Sequence, residues 1–77
     1  MEVKVLGPGC ANCVRLENNV KRAVEGTDHE VTISKVEDPV DIMKYGVMST
    51  PGLVVDEKVV SYGRVLTPEE IRTKLNL

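Results

Sequence analysis

The sequence predicts an α/β fold in which a four-stranded mixed sheet is flanked by helices, with the order β-α-β-α-β-β-α. Short apolar segments that alternate with polar residues and are bounded by glycine or proline indicate strands. Segments with apolar residues three and four positions apart indicate helices. The first strand, helix and second strand form a βαβ unit, which joins parallel strands through a right-handed crossover. At 77 residues, the chain predicts a single domain, residues 1–77.

The first half of the chain contains the βαβ unit. In residues 3–6 the apolar Val3 and Val5 alternate with a polar residue and Leu6 follows. A segment with glycine and proline comes next, at 7–9, which predicts a strand ending in a loop. Residues 11–25 have helical apolar spacing, and Gly26 is a stop signal. Residues 31–34 alternate apolar and polar side chains, a one-sided pattern that favours a strand at the edge of the sheet.

The second half contains a short helix, a hairpin and a final helix. Asp38-Pro39 combines a capping residue with a proline suited to the first helical position, and Gly46 ends this helix after barely two turns. The β-prone residues 53–55 and 59–60 surround a turn and indicate a hairpin. Residues 67–70, Thr-Pro-Glu-Glu, start the last helix with a capping box.

The core is expected to be aliphatic, because the chain has no Phe and no Trp. Met43 and Met48 are expected to fill gaps in this core. Tyr45 and Tyr62, the only aromatic residues, are expected to be partly buried.

Charge and hydropathy exclude several functional classes. The net charge is −2, which does not suit nucleic-acid binding. No apolar run approaches the ~18 residues of a membrane span, and the first residues lack the apolar segment of a secretory signal. We therefore expect a cytoplasmic monomer that contacts neither nucleic acid nor membrane.

Both cysteines lie in the stretch Gly7-Pro8-Gly9-Cys10-Ala11-Asn12-Cys13. The loop after the first strand brings Cys10 to the start of the first helix, where free backbone N–H groups stabilise a thiolate. The pKa of Cys10 is therefore expected below the usual value of about 8.5. Cys13 follows one turn later on the apolar face and is expected to be buried. Disulfide exchange needs this asymmetry between an exposed nucleophile and a sheltered second thiol.

With Cys10-Ala11-Asn12-Cys13 before the first helix and Thr50-Pro51 before the hairpin, the sequence resembles the thioredoxin/glutaredoxin-like superfamily. It is most similar to the small redox-active disulfide proteins of archaea and bacteria. The resemblance implies a minimal thioredoxin-like fold and a thiol–disulfide oxidoreductase in which Cys10 is the nucleophile and Cys13 the resolving thiol. It also implies that Pro51 is cis and faces the cysteines, and that the substrate groove is formed by Thr50, Pro51, Gly9, Ala11 and Asn12.

The expected partners are protein disulfides and an electron donor of the thioredoxin-reductase type, because the chain has no nucleotide-binding motif of its own and no cofactor is predicted. Glutathione is a doubtful partner, since Tyr62-Gly63-Arg64 stands where glutaredoxins have a glycine-acid stretch. The sequence shows no equivalent of the buried thioredoxin carboxylate, which leaves the proton acceptor for Cys13 unassigned.

Two other functions use the same cysteines. One is a chaperone for a soft metal such as Cu(I) or Zn(II), because two thiolates suit soft ions. Metal-binding domains of this size usually have Met two residues before the first cysteine, where this chain has Pro8, and they end in a strand. Zinc would need two further ligands, which His29 alone cannot supply. The other function is a non-catalytic adaptor that senses redox state. We therefore predict no metal site.

Overall fold

Seven elements form the fold, and the computed structural model describes all 77 residues. The elements are β1 (Glu2–Leu6), α1 (Ala11–Val24), β2 (Thr32–Val36), α2 (Pro39–Met43), β3 (Gly52–Val55), β4 (Lys58–Tyr62) and α3 (Pro68–Leu75). This order and the mixed four-stranded sheet confirm the predicted α/β fold, which is a minimal thioredoxin-like fold.

The sheet has the strand order β2-β1-β3-β4. Strand β1 is parallel to β2 and antiparallel to β3, and β3 is antiparallel to β4. The one-sided strand β2 lies at the edge, as its pattern predicts. Because β1 has a hydrogen-bonded neighbour on each side, the loop that leaves its carboxyl end starts from a central strand of the sheet.

The hairpin between β3 and β4 is closed by Asp56 and Glu57, whose φ angles are 48° and 69°. Positive φ at both central residues is typical of the two-residue type I′ turn, whose twist matches that of the flanking strands. The register shifts between Leu53 and Val54: Leu53 pairs with Ser61 and Val54 pairs with Val59, so Val60 is the extra residue of a bulge in β4. The predicted hairpin is therefore confirmed.

Side-chain caps start the two proline-containing helices where the sequence predicts them. The carboxylate of Asp38 accepts a 2.8 Å hydrogen bond from the Val40 N–H at the start of α2. At α3 the Thr67 hydroxyl accepts from the Glu70 N–H, and the Glu70 carboxylate accepts from the Thr67 N–H, at 3.2 and 3.1 Å. These bonds satisfy backbone donors that have no partner within the helix.

Helices cover both faces of the sheet. The larger core cluster lies between one face and helices α1 and α3, and its buried members are Val3, Val5, Leu16, Val20, Ala23, Leu53, Leu66, Ile71 and Leu75. A smaller cluster of Leu6, Ile42 and Val54 lies under α2 on the other face. Each large aliphatic side chain buried in this way stabilises the fold by about 1.5–3 kcal/mol.

The expectation that Met43 and Met48 belong to the core is wrong, since their side chains are 73% and 91% exposed. Helix α2 has only five residues and a single buried one, Ile42, so Met43 lies on its solvent side. Met48 lies in the loop between α2 and β3. Tyr62 is also more exposed than expected, at 54%, because β4 is the other edge strand.

None of the helices combines the length and the apolar character that crossing a membrane would require.

Candidate active site

The two cysteines lie at the start of α1, immediately after the loop that follows β1. Cys10 is exposed and is the N-cap of the helix, whereas Cys13 is only 4% exposed. Their Cα atoms are 5.0 Å apart and their sulfur atoms are bonded as a disulfide. The Cys13 N–H donates a hydrogen bond to the Cys10 sulfur at 3.2 Å. The unequal exposure agrees with the asymmetry expected from the sequence.

Gly7 and Gly9 shape the loop that holds Cys10. The Gly7 N–H donates to the Val36 carbonyl at 2.9 Å, which extends the pairing of β1 with β2 by one residue. A Cβ atom added at Gly7 would overlap the Cys13 sulfur and lie 3.1 Å from the Cys13 Cβ. Gly9 has a φ of +89°, a conformation that residues with a side chain rarely adopt. The loop therefore requires glycine at position 7 because a side chain has no space there, and glycine at position 9 because of the positive φ.

The segment before β3 lies beside this loop. The Thr50–Pro51 peptide bond is cis. Pro51 is buried, and its carbonyl accepts a 2.9 Å hydrogen bond from the Gly63 N–H. A Cβ atom built on Gly7 would lie 3.8 Å from the Thr50 Cβ, so Thr50 packs next to the loop and the buried cysteine.

The residues expected to form the substrate groove differ in accessibility. Gly9, Ala11, Asn12 and Thr50 are exposed near Cys10, whereas Pro51 is buried beneath them. Their role in substrate binding stays a prediction.

A cleft of about 290 Å³ lies next to this surface, and the two methionines expected in the core, Met43 and Met48, line it. Its lining includes Pro8, Met43, Val47, Met48, Ser49 and Thr50. The position of Met48 two residues before Thr50-Pro51 was a signal available in the sequence, since a loop residue beside a site is rarely core filler. The exposed methionines therefore belong to the surroundings of the cysteine pair.

A second, much smaller cavity lies behind the buried cysteine. Its volume is about 20 Å³, and Cys13, Glu17 and Lys35 contribute to its wall. The Glu17 side chain is 17% exposed and forms long ion pairs with Lys21 at 3.8 Å and Lys35 at 4.0 Å. The sequence reasoning did not single out Glu17.

The most strongly perturbed ionisable group, Lys4, belongs to a different part of the molecule. The Lys4 ammonium donates to the Glu57 carboxylate and to the Tyr45 hydroxyl, the latter at 3.0 Å. These bonds, that to Glu57 foremost, raise the pKa of Lys4 above its ordinary value, and the Lys4 ammonium lowers the pKa of Glu57. Lys4 alternates with Val3 and Val5 along β1, so its side chain is on the sheet face opposite α1. This cluster ties the hairpin to β1.

No three side chains among His, Cys, Asp and Glu converge in a way that could hold a metal ion.

Two cysteines that bond to each other at an exposed helix start can exchange their disulfide with another, so the fold and the site define a thiol–disulfide oxidoreductase. The family model described as a thioredoxin domain matches residues 1–76. The chain belongs to this thioredoxin family.

Curated relatives agree with this assignment. The chain is 36% identical over 76 residues to a thioredoxin of Methanothermobacter thermautotrophicus, an alignment that covers 99% of each protein. It is also 36% identical over 73 residues to a thioredoxin of Methanocaldococcus jannaschii, which covers 95% of this chain and 84% of the relative. These similarities support redox exchange and give no support to the metal chaperone.

Proposed function

We propose that this protein reduces disulfides of other proteins, with Cys10 as the attacking thiolate and Cys13 as the resolving thiol. The observation that supports this assignment is the difference in accessibility: Cys10 is exposed, while Cys13 is 4% exposed. A partner disulfide can reach only the first sulfur. The hydrogen bond from the Cys13 N–H to the Cys10 sulfur favours the thiolate form of Cys10, because a hydrogen bond to the charged form stabilises it.

The reaction has two exchange steps. The Cys10 thiolate attacks one sulfur of the partner disulfide, a new Cys10–partner bond forms, and the other partner sulfur leaves as a thiolate. Cys13, once deprotonated, attacks the Cys10 sulfur, the Cys10–partner bond breaks, and the second partner sulfur leaves with the electron pair. The partner gains two electrons and two protons, and this chain is left with the Cys10–Cys13 disulfide. An external thiol donor must then reduce that disulfide.

The surface near Cys10 suits an extended protein segment. Gly9, Ala11, Asn12 and Thr50 are exposed there, and the backbone of Thr50 can pair with a substrate strand in hydrogen bonds of about 1 kcal/mol each. The neighbouring apolar cleft with Met43 and Met48 can accept substrate side chains, because flexible methionine side chains adapt to varied surfaces.

A protein reductase is the expected electron donor, and glutathione the less suitable one. Arg64 lies in the stretch where glutaredoxins have the glycine-acid segment that helps hold glutathione, and its guanidinium donates to the Glu70 carboxylate at 2.9 Å. A group already paired inside the chain is less available for a ligand. A reductase-supplied dithiol also fits a reducing compartment such as the cytoplasm.

Trapping experiments test the roles of the two sulfurs. Cys13→Ser should accumulate mixed disulfides with an oxidised protein substrate such as insulin, and its matched control Cys10→Ser should accumulate few. Iodoacetamide at about pH 6–7 should label Cys10 of the reduced protein first, since a thiolate at the helix start reacts at this pH. Preferential labelling of Cys13 would reverse the assignment.

Turnover experiments test the donor and the adaptor alternative together. Reduction of insulin is followed with a thioredoxin reductase and NADPH in one arm, and with glutathione and glutathione reductase in the other. We expect many turnovers in the first arm and slow recycling in the second. Efficient recycling by glutathione alone would contradict the donor assignment, and the absence of turnover in both arms would favour a redox-sensing adaptor.

A further inference from the structure

The second exchange step requires the removal of a proton from Cys13. The thiolate is the attacking form, yet Cys13 is almost fully buried and has the aliphatic face of α1 around it. Burial in apolar surroundings disfavours a thiolate. Bulk water does not reach this sulfur freely, so a proton acceptor within the protein would accelerate the step.

The small cavity behind Cys13 provides a place for such a transfer. Its volume of about 20 Å³ is sufficient for one water molecule. Its wall contains only two kinds of ionisable group besides the thiol, the Glu17 carboxylate and the Lys35 ammonium. The cavity therefore connects Cys13 with a base, either directly or through one water.

Helix geometry places Glu17 beside Cys13. The two residues are four positions apart in α1, and side chains at this spacing are neighbours on one helix face. The Glu17 side chain is 17% exposed, and its ion pairs with Lys21 and Lys35 are 3.8 and 4.0 Å long. These long contacts keep a negative charge close to Cys13 without fixing the carboxylate in short hydrogen bonds.

The sheet register places Lys35 at the same cavity. Lys35 is the Cα partner of Val5 in the parallel pair of β1 and β2, so both side chains are on the sheet face that α1 covers. An edge strand can carry a lysine on this face, because the aliphatic part of the lysine side chain packs under the helix while the ammonium reaches solvent. The Lys35 side chain is 51% exposed, in agreement with this arrangement.

We infer that Glu17 accepts the proton of Cys13 during the second exchange step; this inference rests on the proposed roles of the two cysteines. The Cys13 proton moves to a Glu17 oxygen, the Cys13 thiolate attacks the Cys10 sulfur, and the bond between Cys10 and the partner breaks. Glu17 then releases the proton to solvent, and when a reductase later opens the Cys10–Cys13 disulfide, the departing Cys13 thiolate takes up a proton from solvent through the same cavity. The long ion pairs with Lys21 and Lys35 keep the Glu17 carboxylate near the cavity before it accepts the proton.

The test follows the two steps separately by stopped flow with Ellman's reagent, an aromatic disulfide whose thiolate product is coloured. The first phase is the attack by Cys10 and depends on reagent concentration. The second phase is the attack by Cys13 and does not. Glu17→Gln keeps the size of the side chain and removes the base, so we expect the second phase at about pH 7 to slow by about 100-fold, the lower end of general-base catalysis. The first phase should change little.

Glu37→Gln is the matched control. In the wild type, the Glu37 carboxylate is the other acidic group near the loop, 3.6 Å from a Cβ atom built on Gly9. Glu37 does not line the cavity behind Cys13. The Glu37→Gln variant should have a second-phase rate constant within about 2-fold of the wild-type value. Glu17→Asp retains a carboxylate and should recover most of the lost rate, which keeps the test decisive if Glu17→Gln alters the fold seen by circular dichroism.

The pH profile distinguishes a base from a structural residue. As pH rises well above the usual thiol pKa of about 8.5, hydroxide takes over from Glu17 as the base. The second-phase rates of wild type and Glu17→Gln should therefore converge. Equal second phases near pH 7 would overturn the inference, as would equal slowing by Glu37→Gln. The absence of a second phase in the wild type would instead refute the proposed roles of the cysteines, and the inference with them.

Discussion

Replacement of Gly7 by alanine tests how closely the loop is fitted to the buried sulfur. An ideal Cβ atom at this position would overlap the Cys13 sulfur and lie 3.1 Å from the Cys13 Cβ. Gly7 does not have a positive φ, so the effect of the substitution is steric. Overpacking of a buried site of this kind costs about 1–3 kcal/mol.

The substitution should destabilise the disulfide form more than the dithiol form. In the dithiol form the Cys13 side chain can rotate about χ1 and move its sulfur away from the new methyl group. In the disulfide form the sulfur must stay within bonding distance of Cys10, so the overlap remains. If most of the 1–3 kcal/mol falls on the disulfide form, the reduction potential rises by about 20–60 mV, since about 30 mV corresponds to 1.4 kcal/mol for a two-electron couple.

The measurement equilibrates wild type and Gly7→Ala in dithiol buffers of graded potential and counts the free thiols. Gly46→Ala is the control, because Gly46 has a φ of +76° and no atom within 4 Å of an added Cβ. That variant should lose about 1–2 kcal/mol of stability from the left-handed backbone in both redox states and keep its potential. A Gly7→Ala potential equal to that of the wild type, with unfolding free energies lowered by the same amount in both states, would refute the reasoning.

Two predictions concern groups away from the cysteines. Glu57→Gln should lower the free energy of unfolding in urea at about pH 7. Because the folded-state pKa of Glu57 is below its ordinary value of 4.5, the stabilisation by Glu57 is present above that value and is lost as pH falls through the folded pKa. The unfolding free energies of wild type and variant should therefore converge in acid. A difference that persisted at about pH 2 would show that the Lys4 ion pair is not its source. Thr67→Ala should lower the free energy of unfolding by about 1 kcal/mol through loss of the capping box. Its control Thr73→Ala, within the same helix, should be near neutral because alanine has the higher helix propensity, and equal losses in both would contradict the capping explanation.

Elements with strong local signals could be predicted from the sequence. The loop and helix around Cys10 and Cys13 follow from glycine, helical spacing and the cysteine positions themselves. The start of α3 at Thr67 follows from its capping box, and the edge position of β2 from its one-sided polarity. In each case the residues that decide the structure are within one turn or one strand of each other.

Other features depend on long-range packing and were missed. The exposure of Met43 and Met48 depends on which side of a five-residue helix meets the sheet, and five residues do not define an apolar face. The meeting of Glu17 with Lys35 depends on the register of β2 against β1. A one-residue slip in that register would turn Lys35 to the other face of the sheet, so composition and periodicity could not reveal the pair.

The shortness of α2 gives the molecule two regions of different mechanical character. Helix α2 has five residues, and Ile42 is its only buried one, so few apolar contacts oppose its local opening. The cysteine loop instead continues β1, which is bonded to a strand on each side. In native-state hydrogen exchange, the amides of α2 should exchange through small fluctuations, and those of β1 only when the whole chain unfolds. One wall of the cleft can then change shape while the two sulfurs keep their mutual geometry. Under the proposed function, this would let a single 77-residue chain act on many protein disulfides with one set of reacting atoms.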